Sequence, residues 1–303
     1  MASKKESHNG TASNGTTSNG ASNRTLIIIG GHEDKEGKKV ILREVARRVR
    51  GGKLVVTTVA SHQPEGYFES YQKAFDGLGL GQLEELDIGE RAEASMDSKV
   101  HMLDDAAGLF FTGGDQLKIT SQIGDTPISR RIEEIYYSGG LIAGTSAGAS
   151  VMCDTMLVRG TARESYKIGD LHMAPGLGLI KDAIIDQHFA ERGRMGRLLG
   201  AVAQNPRVLG IGIDEDTAIV VENESCFYVV GSGAVYVVDG AGVTHSNIAE
   251  EEEDKALSIY DVRLHVLSEG DEFNLAQRRP GEITRRQATE ISIKELETKE
   301  VQA

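Results

Sequence analysis

The sequence predicts an α/β fold, a doubly wound, mostly parallel sheet with helices on both faces, followed by a C-terminal β-hairpin region. Three observations carry this. Short apolar runs of strand length alternate with amphipathic stretches of helical period, the order that a parallel sheet with crossover helices requires. Glycine is abundant (36) and proline scarce (5) among 303 residues, which suits many tight strand-to-helix turns. Glycine-bearing turns follow the apolar strands directly, at Gly30-Gly31, Gly113-Gly114 and Gly144-Thr145-Ser146-Ala147-Gly148.

In chain order, Leu26 to Ile29 reads as a buried strand ending at Gly30-Gly31-His32. Val40, Ile41, Val45 and Val49 line one side of a helix that Gly51-Gly52 ends. Leu54 to Val59 is the next strand, Tyr67, Phe68, Tyr71 and Phe75 recur at helical spacing, and Leu83 to Ile88 is a third strand. A helix is expected from Val100 to Ala107, then a strand from Gly108 to Thr112, then a helix after Gly113-Gly114-Asp115-Gln116. A further helix, Ile128 to Tyr137, leads to the strand before Ser146.

Beyond it, Ala183 to Ile185 is a strand entering Asp186-Gln187-His188-Phe189, and Arg192 to Ala203 a helix. The strand Val208 to Ile213 runs into Asp214-Glu215-Asp216. Ala218 to Val238 is β-branched and hairpin-like, and Ser258 to Leu267 is the last expected strand. Residues 1–23 read as a polar Ser/Asn/Gly-rich tail, 24–269 as one catalytic domain, and 270–303 as a charged C-terminal tail. Glu250 to Asp254 reads as a solvated acidic loop.

Composition narrows the function. The net charge of −13 disfavours nucleic-acid or acidic-membrane partners, while permitting a local basic pocket. The two cysteines, Cys153 and Cys226, lie in apolar surroundings and form neither a disulfide framework nor a metal cluster, which suits a reducing, cytoplasmic setting. No apolar run approaches the length of a membrane span, and no signal-peptide core precedes the domain. Asn9, Asn14 and Asn23 stand in N-x-Ser/Thr patterns, read as products of composition. The Gly30-Gly31 turn lacks the rest of any phosphate-loop pattern.

Gly144 and Gly148 flank Ser146 in the pattern G-x-S-x-G. That pattern suits a nucleophile elbow, in which glycines permit a sharp strand-to-helix reversal and leave the hydroxyl projecting. A Gly/Ser/Ala-rich turn without chemistry is the plainer alternative. A serine nucleophile needs a base, and the base an orienting acid. Of eight histidines, His32, His188, His245 and His265 bear weighing, and His188 is best placed because it follows a buried strand directly. Glu215 leads the acids, with Asp214 and Asp216 as competitors. The block Glu191-Arg192-Gly193-Arg194-Met195-Gly196-Arg197 puts three arginines beside the candidate base, suited to bidentate grip on carboxylates or else to a solvated helix start. The backbone N–H of Ala147, with one from Gly113 or Gly114, would hold an oxyanion.

Together, Gly-Thr-Ser146-Ala-Gly-Ala, Gly113-Gly114-Asp115-Gln116, Asp186-Gln187-His188-Phe189 with Arg192, Arg194 and Arg197, and Gly212-Ile213-Asp214-Glu215 resemble the cyanophycinases. These are serine exopeptidases of the peptidase E-like group on a class I glutamine amidotransferase-like fold. The resemblance spans roughly Arg24 to Glu269. It implies Ser146 as nucleophile, His188 as base and Glu215 as third member of the triad. Gln116, Asp186, Gln187, Arg192, Arg194 and Arg197 would line the substrate pocket. It further implies cyanophycin, a poly-aspartate bearing arginine on each β-carboxyl, as substrate, β-Asp-Arg as product, a homodimer, and no metal or cofactor. The rivals are an aspartyl dipeptidase of the same group, an α/β-hydrolase esterase (disfavoured because His188 precedes Glu215), and a non-catalytic binding module.

Overall fold

The computed structural model describes residues 24–63, 65–160, 171–250 and 255–281. The polar tail expected at 1–23 and all but Glu250 of the acidic run expected from Glu250 to Asp254 lie outside the described residues, as does the stretch from 282 onward.

Five strands form the parallel half of a nine-stranded sheet: β1 (Thr25–Ile29), β2 (Lys53–Thr57), β3 (Gln82–Leu86), β4 (Ala106–Phe111) and β5 (Leu141–Thr145). Strand β1 pairs parallel with β5, β5 with β4, β4 with β2, and β2 with β3. Two further strands, β6 (Thr155–Arg159) and β7 (His172–Pro175), make a small ribbon. The strands β8 (Ala183–Gln187) and β9 (Leu209–Ile213), parallel to each other, do not join the first sheet. They belong to a second, four-stranded sheet completed by β12 (Val235–Asp239) and β15 (Arg263–Leu267). Between them in sequence, β10 (Thr217–Glu222) and β11 (Cys226–Gly231) form the hairpin expected, antiparallel to β1, while β13 (His245–Ser246) and β14 (Ile259–Tyr260) make another ribbon.

The strand period of two explains the layering. Ile27 and Ile29 face one way, with Val45 and Leu42 of helix α1 (Val40–Val49) and Tyr71 and Phe75 of α2 (Tyr67–Phe75). Leu26 and Ile28 face the other way, into a cluster that takes in helices α4 (Gln116–Ile123) and α5 (Pro127–Tyr137) through Ile119, Ile132 and Tyr136. Ile211, Ile213, Val235 and Val237 of the second sheet join the same cluster. The outer face of that sheet carries Ile184 and Val238 against Leu198 and Val202 of helix α7 (Met195–Gln204). Gly210 lets α7 sit close, since a Cβ there would come within 2.9 Å of Leu198 and Val202. The architecture is thus helices, large mixed sheet, helices plus second sheet, and one outer helix.

Three sequence expectations shift. The helix expected at Val100 to Ala107 is α3 (Asp97–His101), and the turn after it ends at Asp105, whose φ of 57° starts the run into β4. The helix expected from Arg192 begins at Met195, so Arg192 and Arg194 sit in the turns before it. The domain does not end at 269: β16 (Glu272–Asn274) pairs with β11, and β17 (Arg279–Pro280) with β16. Phe273 is fully buried and stacks on Phe227 at 5.5 Å between ring centroids. One apolar side chain among charged residues anchors a strand that composition alone presents as a tail.

Candidate active site

Strand β5 ends at Thr145, and Ser146 takes φ 54° and ψ −111°, a strained conformation for a side chain with a Cβ. Helix α6 (Ala147–Ser150) starts at once. Its flanking glycines allow the reversal by close approach. A Cβ on Gly144 would lie 2.4 Å from the Gly148 carbonyl oxygen, and one on Gly148 would lie 2.6 Å from that of Phe111. The Ser146 N–H is held at 3.0 Å by the carbonyl of Ile29, which ties the elbow to β1. These are the features of a nucleophile elbow.

His188 leaves the end of β8 with φ 47° and donates its backbone N–H to Gly30 O at 2.8 Å. Its Nε2 lies 2.9 Å from Ser146 Oγ, and its Nδ1 lies 2.6 Å from Glu215 Oε1. Glu215 occupies the turn in which the chain crosses from β9 in the second sheet to β10 in the first. A carboxylate can only accept, so Nδ1 carries the proton and Nε2 faces the serine hydroxyl as acceptor. Burial lowers the His188 pKa below its ordinary value, with Arg192 and His32 adding to the effect against the opposing Glu215 hydrogen bond. Burial would raise Glu215, but hydrogen bonds from His188 and His32 outweigh it and hold the carboxyl below its usual range. Both shifts favour a neutral imidazole beside an ionised carboxylate.

The two competitors of Glu215 have other partners. Asp214 accepts the backbone N–H of Ala190 at 2.9 Å and that of Ala234 at 3.1 Å. Asp216 accepts that of Asp34 at 2.9 Å and the hydroxyl of Ser232 at 2.8 Å. Both close loops, leaving Glu215 free to face the imidazole. Gly30 and Gly31 also find their explanation here. A Cβ on Gly30 would lie 2.0 Å from Asp214 O, and one on Gly31, where φ is +109°, would lie 2.3 Å from His188 Cε1. The pair admits the imidazole and the Asp214 turn between the two sheets.

A cleft of about 670 Å³ opens over Ser146. Of the residues the sequence singled out, Gly113, Gly114, Ser146, His188 and Arg192 line it. A Cβ on Gly113 would stand 3.9 Å from Ser146 Oγ, so that backbone borders the nucleophile. Arg194, Arg197, Asp186 and Gln187 do not line it: they are buried together. Arg197 reaches both Asp186 oxygens, through Nε to Oδ2 at 2.6 Å and through Nη2 to Oδ1. Arg194 donates to Asp186 Oδ1 at 3.1 Å, to Gln187 Oε1 at 3.0 Å and to the Gln187 carbonyl. Burial holds Arg194 down to about 10. A carboxylate with no exposure needs countercharge, and Arg197 of helix α7 and Arg194 just before it supply it. Gln116 is half-buried and spends its amide on the carbonyl of Leu157 at 3.0 Å. Sequence spacing brings these groups near the base; side-chain direction takes them away from the cleft.

His32, one of the histidines weighed in the sequence, also lines the cleft. His32 donates from Nδ1 to Glu215 Oε2 at 2.8 Å and meets the His188 ring edge-on at 5.0 Å. Ligand-type atoms of His32, His188 and Glu215 lie within 4.8 Å of one another, a spacing that could hold a metal ion. Glu33, Lys35 and Tyr71 also line the cleft. The hint of Glu33 and Lys35 was the charged run directly after the Gly-Gly turn at a strand's carboxyl end, the usual place for sites in such sheets.

A strained serine elbow, an imidazole and a carboxylate in one line of hydrogen bonds define the arrangement of a serine-type hydrolase on an α/β scaffold. Residues 26–229 match the model of peptidase family S51, and the chain belongs to that family. It is 41% identical over 261 residues to the cyanophycinase of Nostoc sp. (strain PCC 7120 / SAG 25.82 / UTEX 2576), covering 85% of this chain and 88% of that one. It is 35% identical over 253 residues to the cyanophycinase of Synechococcus elongatus, covering 82% and 79%. Among solved structures, a peptidase from an acI-B1 Actinobacterium shares the fold with a TM-score of 0.62 at 21% identity, covering 84% of this chain and 98% of that one.

Proposed function

We propose that this chain is a serine-type exopeptidase that hydrolyses the backbone of cyanophycin and releases β-Asp-Arg. The observation that carries the proposal is the unbroken chain from Ser146 Oγ through His188 to Glu215, at 2.9 and 2.6 Å, beneath a charged cleft. The cyanophycinase relatives supply the substrate. His188 Nε2 takes the hydroxyl proton as Oγ attacks the carbonyl carbon, and the N–H of Ala147 with one from Gly113 or Gly114 holds the oxyanion. The same imidazole gives its proton to the leaving amine. It then activates the water that frees the acyl group, while Glu215 keeps the tautomer and offsets the transient positive charge. Arg192 is the arginine of the block that faces this chemistry.

The reading includes a homodimer, supported by the resemblance, and a cytoplasmic location, supported by two cysteines that form no disulfide. Among the described residues no helix is long and apolar enough to cross a membrane. A narrower reading, an aspartyl dipeptidase, gains from the burial of Arg194 and Arg197, since fewer free cations then remain to grip a polymer's carboxylates. Incubation with purified cyanophycin and mass analysis of the products decides between them. β-Asp-Arg is expected from the parent and none from Ser146→Ala. Hydrolysis of Asp-X dipeptides without attack on the polymer would establish the narrower reading.

A further inference from the structure

We propose that Glu33 and Tyr71 form a seat for the guanidinium of the substrate's arginine, and that the chain's own Lys35 ammonium fills this seat until substrate displaces it. The inference rests on the proposed function for its ligand, and on the cleft for its geometry.

Glu33 is 5% exposed at the floor of the cleft. Its Oε1 accepts the Tyr71 hydroxyl at 2.5 Å and its Oε2 the Thr145 hydroxyl at 2.6 Å. Both donors are neutral, so they fix the buried carboxylate in place without neutralising its charge. Lys35 Nζ lies 3.8 Å from Glu33 Oε1 and 3.9 Å from the centroid of the Tyr71 ring. A carboxylate edge and an aromatic face meeting at one point are what a cation binds. The ammonium uses them loosely, because 3.8 Å is well beyond the roughly 2.7–2.9 Å of a charge-assisted hydrogen bond. A planar guanidinium can lie on the ring and donate to the carboxylate at once, which a point charge on a flexible stem does less well.

Displacement requires only that the Lys35 side chain rotate. The loop beneath it is pinned by Asp34, whose carboxylate accepts the backbone N–H groups of Glu36, Gly37 and Lys39 at 3.0, 2.7 and 2.9 Å. Those bonds, that of Lys39 foremost, hold the Asp34 carboxyl down to about 2. An arginine linked through its α-amino group also presents a free α-carboxylate. The freed Lys35 ammonium and Arg192 are the cations at the cleft wall that can meet it. Substrate then exchanges one internal ion pair for two external ones. Thr145, held by the same Glu33, is the residue directly before the nucleophile, so occupancy of the seat is coupled to the elbow.

The test uses full-length protein carrying Ser146→Ala, titrated calorimetrically with agmatine, a guanidinium without a carboxylate. Binding is expected, weakened at least tenfold by Glu33→Gln and tightened severalfold by Lys35→Met, which removes the internal competitor. Citrulline, with an uncharged ureido group, should not gain from Lys35→Met. Affinity for agmatine unchanged by Glu33→Gln, or lowered by Lys35→Met, would overturn the seat. Lys35 is partly exposed, so its variant reports even if Glu33→Gln does not fold. A parent protein that leaves cyanophycin intact but shows the expected agmatine pattern would keep the seat and refute only the substrate.

Discussion

Replacing Gly31 with alanine tests whether the imidazole stands where the chemistry needs it. The new Cβ would lie 2.3 Å from His188 Cε1, 2.6 Å from Nε2 and 2.9 Å from Nδ1. Ordinary contact begins near 3.4 Å, so the ring has to retreat by about 1.1 Å, the difference between 3.4 and 2.3. It has nowhere to go without loss, because Nε2 is 2.9 Å from the nucleophile and Nδ1 is 2.6 Å from Glu215. Misplacement of a reacting group by about 1 Å costs on the order of 100-fold in rate. The left-handed φ of +109° adds strain of about 1–3 kcal/mol to the fold. The assay is kcat and KM for release of β-Asp-Arg from soluble cyanophycin, beside a thermal melt of the same preparation. We expect kcat to fall about 100-fold with KM changed little, in a protein that still unfolds cooperatively. A folded variant with kcat within threefold of the parent would show that Gly31 does not confine the base.

Because burial lowers the His188 pKa, the neutral, proton-accepting form persists to lower pH; activity is full above that folded pKa and is lost as pH falls through it. The acid limb of a kcat/KM profile is therefore expected below the ordinary histidine value of 6.5, and a limb above it would contradict the assignment. Asp186→Asn leaves Arg194 and Arg197 buried without their carboxylate, which is expected to cost about 3–5 kcal/mol in chemical denaturation. Phe273→Ala removes a fully buried ring and is expected to cost about 3–5 kcal/mol by the same measurement, whereas a loose C-terminal tail would give no change.

Most of the parallel half of the large sheet was legible because β1, β2, β4 and β5 are largely apolar runs and helices α1, α2 and α5 each carry one apolar stripe, signals that depend only on local order. The elbow was legible because the reversal at Ser146 requires glycines at fixed offsets. His188 and Glu215 were singled out by position, each following a strand directly, and the structure brings both into one line with Ser146. What the sequence could not show was which strands pair: β8 and β9 read like the others yet build a separate sheet, since an apolar run does not name its neighbour. Nor could it show side-chain direction. Arg192 and Arg194 are two residues apart, but Arg192 is exposed at the cleft while Arg194 turns inward to Asp186. Glu33 went unseen for a related reason: its partners, Tyr71 and Thr145, are 38 and 112 residues away in the chain.

Ser146 follows a strand of one sheet and His188 a strand of another, with Glu215 in the span between the sheets. The hydrogen bonds Ser146–His188 and His188–Glu215 thus work as a caliper across the layers. Sliding one sheet past the other by less than the width of an atom would open the jaw between Ser146 and His188 without breaking a strand pairing in either. Inhibition of such an enzyme needs no occupant of the cleft; a wedge in the seam, far from the serine, would disarm it by loss of alignment alone.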